Sequence, residues 1–164
     1  MMGSDHLYLD CEWADVFAGE LVSIALVSLN GKHEFYAERA DLPELTPWVQ
    51  AVVFPLLERG DKALSDADMT RALRSFLAGI DAPVIHFDCG ADRAFCQRVL
   101  DGFGQPDTDA LGPKPQGLRW QMLIDMGPAL VRWWNAHPEE KSRRHHALVD
   151  ARALRAAVLS LWGV

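Results

Sequence analysis

The stretch Leu7-Tyr8-Leu9-Asp10-Cys11-Glu12-Trp13 decides how this chain is read. Apolar bulk and polar groups alternate with period two, which specifies a β-strand. Leu7, Leu9, Cys11 and Trp13 fall on one face, and His6, Tyr8, Asp10 and Glu12 on the other. Two carboxylates therefore stand side by side near the end of a strand that is otherwise core. Neighbouring carboxylates on a buried strand repel each other and are costly to desolvate. A divalent cation relieves both penalties, and a ligand set of oxygens suits Mg²⁺ or Mn²⁺. Taken alone, an Asp-x-Glu pair reads better as two solvated acids at a strand end. The far end of the chain changes that reading.

The 164 residues are 49% hydrophobic, enough for one domain with a substantial core. No apolar run approaches the roughly 20 residues that span a bilayer, and the first residues lack a basic-apolar leader pattern. A cytoplasmic chain is expected, with no membrane partner. Cys11, Cys89 and Cys96 form no CxxC pair, which argues against a disulfide framework and a zinc ribbon. The net charge of −7 argues against coating of long nucleic acid by bulk electrostatics. It leaves room for an enzyme that grips a few nucleotides through metal.

Outward from the first strand, Leu21 to Leu29 is apolar on both faces, as a central strand is. Asn30-Gly31 signals a type I′ hairpin, and Lys32 to Glu38 returns as a third, edge strand. Leu42 to Leu57, with Pro43, Pro47 and Pro55, predicts short helical pieces. A helix capped by Asp66 follows, ended by Gly79, with Met69, Leu73, Phe76 and Leu77 as its stripe. Pro83 to Phe87 predicts a fourth strand and Asp92 to Leu100 a helix. Phe103 to Gly117 reads as an ordered loop or flap, Leu118 to Ile124 as a fifth strand, and Asp125 to Trp134 as a helix. A basic loop, His137 to Arg144, leads into a last helix from His146 to Trp162. Its stripe is Ala147, Ala151, Leu154, Val158 and Leu161. The fold class is α/β, a five-stranded mixed sheet that opens with an antiparallel meander and is flanked by helices.

The run His145-x-Ala147-x-x-Asp150 resembles the third motif of the DEDDh 3′–5′ exonucleases, the DnaQ-like branch of the ribonuclease H-like fold. Asp10-x-Glu12 resembles the first motif. Asp92, within Gly90-Ala91-Asp92-Arg93-Ala94-Phe95-Cys96, is similar to the second. The short hairpin-containing chain is most similar to small stand-alone bacterial members with exoribonuclease activity. The resemblance implies a ribonuclease H-like fold in a single exonuclease domain over residues 1–164. It implies two Mg²⁺ or Mn²⁺ ions held by Asp10, Glu12, Asp92 and Asp150. It also implies that a histidine takes a proton from the attacking water, and that the chain forms a homodimer. The substrate expected is single-stranded or short nucleic acid, RNA before DNA.

Two positions stay open at this level. Motif spacing favours His145 as the base, leaning over the metals from a mobile loop. His146, four residues before Asp150, shares its helical face. Asp92 has Asp88, at the end of the fourth strand, as its rival. Trp13 either stacks on a terminal base or belongs to the core face. Arg143 and Arg144 are expected either to contact phosphate or to form a solvated turn. Trp48 and the Trp133-Trp134 pair suit an interface or the core, and His6, His33, His86 and His137 read as structural. The competing functions are a DNA exonuclease of the proofreading or repair kind and a nucleic-acid-binding domain without turnover.

Overall fold

The computed structural model describes residues 5–163. Its centre is a six-stranded mixed sheet in the order β4-β3-β2-β1-β5-β6. The first three strands, β1 (His6–Trp13), β2 (Leu21–Ser28) and β3 (Glu34–Arg39), form the expected antiparallel meander. Strands β5 (Val84–Phe87) and β6 (Arg119–Met122) continue beyond β1 in parallel.

The sheet has one strand more than the sequence predicts. Ala63–Leu64 forms a two-residue strand, β4, parallel to the end of β3, so β3 is not the edge there. Two residues carry no legible alternation, which is why the pattern misses it. The hairpin differs too. Gly31 has φ +70°, but Asn30 is not among the positive-φ residues, whereas a type I′ turn needs both. The Asn30 side chain instead accepts from the Lys32 N–H and the Ser28 hydroxyl, building a four-residue loop.

One sheet face carries Leu7, Leu9, Cys11, Ile24, Leu26 and Phe35. Helices α2 (Asp66–Ala78) and α3 (Gly90–Leu100) pack there through Met69, Leu73, Leu77, Phe95, Cys96 and Val99. Ser65, one residue before the expected cap, caps α2 by accepting from the Asp68 N–H. The other face carries Tyr8, Ala25, Val27 and Tyr36 beneath α4 (Gly127–Ala136) and α6 (Ala147–Trp162). Ala25 meets Ala147 and Ala151, so α6 approaches β1 and β2 closely. Of its expected stripe, Leu161 alone is exposed. A four-residue helix, α5 (Pro138–Lys141), lies within the predicted basic loop.

The 101–117 segment is anchored from α2. Arg74 is buried, and its guanidinium donates to the carbonyls of Leu100 and Gly112 and pairs with Asp107 at 2.9 Å. Arg74→Met therefore leaves buried carbonyls without donors. It is expected to cost about 3–5 kcal/mol, read from urea unfolding; a loss below about 1 kcal/mol contradicts the anchor.

Candidate active site

Strands β1 and β5 run parallel with Tyr8 opposite His86, so their carboxyl ends open on the same side. In α/β sheets that crevice is where ligands bind. Asp10 and Glu12 lie near the end of β1, on the face beneath α6. Asp10 lies opposite Ala25 in β2, whose lack of bulk leaves room above it. The start of α6 brings Asp150 over this point, and Asp88 follows directly from β5.

Asp92 reaches the same place from the other side of the strand. It lies in the first turn of α3, is buried, and accepts the Cys11 N–H at 3.0 Å through Oδ1. A side chain tied to the β1 backbone between Asp10 and Glu12 is fixed relative to both. Asp88 is only half-buried, and its charge still reaches Asp10, Asp92 and Asp150. The two rivals are thus neighbours, with Asp92 the one held in place.

The electrostatics follow from this crowding. Burial, then the charges of Asp92, Asp150 and Glu12, push the Asp10 carboxyl well above the usual carboxylate range. Glu12 is pushed up to about 9 by burial and by Asp150 and Asp92. Burial and Asp88 raise Asp92 to about 8, against the opposing Cys11 N–H. Asp150 rises to about 6, mainly through burial, with the His145 N–H and Arg144 opposing. Asp10 Oδ2 and Asp150 Oδ1 are sealed from solvent and have no hydrogen-bond partner. Sealed acceptors among mutually repelling acids are the donor set a dication satisfies. One group of potential ligand atoms gathers within 4.8 Å among the described residues: Glu12, His145 and Asp150. Asp10 and Asp92 stand outside that group while sharing its field.

The two histidines separate cleanly. His145 is half-buried at the rim, its Nδ1 4.0 Å from Glu12 Oε2, and Trp48 meets its ring edge-on at 5.1 Å. Its backbone lies in the left-handed region at φ +73°, and its N–H donates to Asp150 Oδ2 at 3.1 Å. An L-residue there is strained, and the Asp150 carboxylate is one of the groups that hold it. Burial and Arg144 lower the His145 pKa. His146 turns the other way. It sits at the N-cap position of α6 without a side-chain capping bond, stacks on Tyr36 at 4.5 Å, and bonds Glu58 Oε1 through Nε2 at 3.1 Å. Glu58 is in turn placed by buried Glu38, which accepts the N–H groups of Glu58 and Arg59.

A cavity of about 400 Å³ opens over the acids, lined by Asp10, Glu12, Trp13, Trp48, His145 and Asp150 among others. Trp13 both borders it and stacks on Phe95 at 5.8 Å, so one side chain faces the cavity and the core together. Arg144 is exposed, lies over the Trp134 ring, and its charge reaches Glu12, His145 and Asp150. Arg143 is exposed and acts instead on His146. Trp134 is buried core, and Trp133 stacks on His137. His86 is buried between Tyr8 and His6, a stacked structural group.

Trp48 was expected at an interface or in the core, yet it borders the cavity. It sits on α1 (Pro47–Val52), whose start is written in the sequence: Thr46 caps the helix and Pro47 takes its first position. Glu58 carries no comparable signal, because its role comes from a contact 88 residues away. No helix among the described residues is long and apolar enough to cross a membrane. No protein-family model matches the chain, and no curated protein matches it.

Proposed function

We propose that the chain is a metal-dependent phosphodiester hydrolase of the DEDDh kind, on a ribonuclease H-like fold. It removes nucleotides from the 3′ end of single-stranded or short nucleic acid, RNA in preference to DNA. The observation that carries the reading is the meeting of Asp10, Glu12, Asp92 and Asp150, from three separate elements, in one buried place with His145 at its rim. Structural ion pairs need cations among them, and among the described residues no lysine or arginine is hydrogen-bonded to these four acids.

Asp10, Glu12, Asp92 and Asp150 would hold two Mg²⁺ or Mn²⁺. Bound there, such ions supply an activated water and stabilise the leaving 3′ oxygen. His145, neutral near pH 7, takes the proton from the attacking water. Asp150 has two parts: one oxygen remains free for metal while the other holds the His145 backbone. Trp13 and Trp48 offer apolar walls for a base, and Arg144 offers a positive charge for phosphate. The preference for RNA rests on the resemblance of the motifs, since a contact to the 2′-OH is what would distinguish it.

The test uses 5′-labelled single-stranded RNA and matching DNA, with Mg²⁺, Mn²⁺ or EDTA, and with Asp10→Ala and Asp150→Ala beside the wild type. The expected result is a ladder shortening from the 3′ end, faster on RNA. EDTA abolishes it, and either substitution lowers it by at least about 10³-fold. Intact substrate under every metal, from folded protein, overturns the reading and leaves a binding domain.

A further inference from the structure

One trio of potential ligand atoms among the described residues lies mutually within reach of a single ion, and it is not all oxygens. His145 Nδ1 stands 4.0 Å from Glu12 Oε2, and one donor each from Glu12, His145 and Asp150 fits within 4.8 Å. Asp10 Oδ2 and Asp150 Oδ1 are sealed and partnerless, and both residues line the same cavity. Dications sort on such differences. Mg²⁺ and Mn²⁺ take carboxylate oxygens, whereas an imidazole nitrogen beside two carboxylates favours Zn²⁺. Around tetrahedral zinc, ligands at about 2.0–2.1 Å stand roughly 3.3–3.4 Å apart. Zinc binding requires this 4.0 Å gap to close by roughly 0.6 Å, a change of the size side-chain torsions supply.

We infer that Glu12, His145 and Asp150 form a Zn²⁺ site whose occupation switches the hydrolase off. Two consequences follow from the shared residues. A ring nitrogen whose lone pair is on zinc has none for a proton, so His145 is withdrawn as a base. Glu12 and Asp150 are also taken, so zinc competes with the activating ions. The inhibitory half rests on the proposed function, while the binding half rests on donor geometry alone. The sequence shows no zinc signature because the ligands are non-local: Glu12 comes from the first strand and the other two from the entry to the last helix.

The test titrates Zn²⁺ and, separately, Mn²⁺ into the full chain by calorimetry, for the wild type and His145→Asn. Asparagine tolerates positive φ, so this variant keeps the fold while losing the imidazole. A Cys89→Ser background removes the one cysteine that is not buried. Zinc is expected to bind the wild type one to one and to shift the His145 ring-nitrogen NMR signals. His145→Asn is expected to weaken zinc by at least roughly tenfold, the loss typical even of a ligand's supporting partner. It should leave Mn²⁺ within about twofold. Zinc added to the Mn²⁺-supported reaction is expected to stop hydrolysis competitively. Equal zinc affinity in both proteins, or no zinc binding where Mn²⁺ binds, overturns the site. Zinc bound through His145 with hydrolysis undiminished overturns the switch. Zinc bound through His145 in a protein that cleaves nothing keeps the site and removes the hydrolase reading.

Discussion

At pH 8 in EDTA, Asp10→Asn is expected to melt about 4–8 °C above the wild type, although it removes the first acid of the site. The cause is the burial of these acids, reinforced by their mutual repulsion. Asp10 is raised by burial and by the charges of Asp92, Asp150, Glu12 and Asp88, and Glu12, Asp92 and Asp150 are raised to about 9, 8 and 6. An acid whose folded pKa exceeds its unfolded value favours the folded state while protonated. Stability from these groups is therefore full below about pH 4 and is lost as pH rises towards 9. Asp150 alone, moved from 3.8 to about 6, represents roughly 3 kcal/mol at high pH. Neutralising Asp10 removes part of that cost, about 2 kcal/mol, and each kcal/mol moves the midpoint of a chain this size by about 2–4 °C. The gain should vanish near pH 4, where the wild-type acids are protonated. Saturating Mn²⁺ should reverse the order, because the wild type gains more from binding. Thermal melts by circular dichroism at pH 4, 6 and 8 decide it. A variant less stable than wild type at pH 8 would show that the acids do not repel as placed.

Most of this arrangement is legible in the sequence because it is periodic or local. The alternation of Leu7 to Trp13 places Asp10 and Glu12 on one face, and that is where they lie, beneath α6. The apolar run of β2 marks a strand buried on both faces, and every residue of Leu21–Ser28 is buried. What periodicity does not carry is distance across the chain. Glu38 and Glu58 look like ordinary surface acids in sequence, but Glu38 is fully buried and Glu58 holds His146. Helical spacing made His146 the partner of Asp150, since it lies one turn before it. The helix begins only at Ala147, so His146 is a cap with a non-helical backbone, and its ring turns to Tyr36 instead. The Asn30-Gly31 signal failed for a similar reason: the loop is longer than two residues, and the asparagine side chain satisfies it.

His145→Gly and His146→Gly should therefore fail in opposite ways. His145→Gly is expected to fold with stability within about 1 kcal/mol of the wild type. Glycine relieves a left-handed conformation that costs an L-residue roughly 1–2 kcal/mol, and this offsets its greater unfolded-state entropy. What it removes is a half-exposed ring at the rim, 4.0 Å from Glu12. Hydrolysis supported by Mn²⁺ should fall by about 10²–10⁴-fold in kcat, the range of a lost general base, with KM little changed. The pH profile gives a second readout. Burial and Arg144 lower the His145 pKa, so its protonation limb lies below the ordinary value near 6.5. The residual rate of the glycine variant should lack that limb. His146→Gly instead deletes a ring that is 2% exposed, stacked on Tyr36 and bonded to Glu58. A loss of about 2–4 kcal/mol is expected, by the cavity and the broken hydrogen bond together. Urea unfolding and steady-state kinetics on both variants separate the roles. An active His145→Gly beside a stable but inactive His146→Gly would reverse the assignment, and would mean that the ring against Tyr36 swings to the acids when substrate binds.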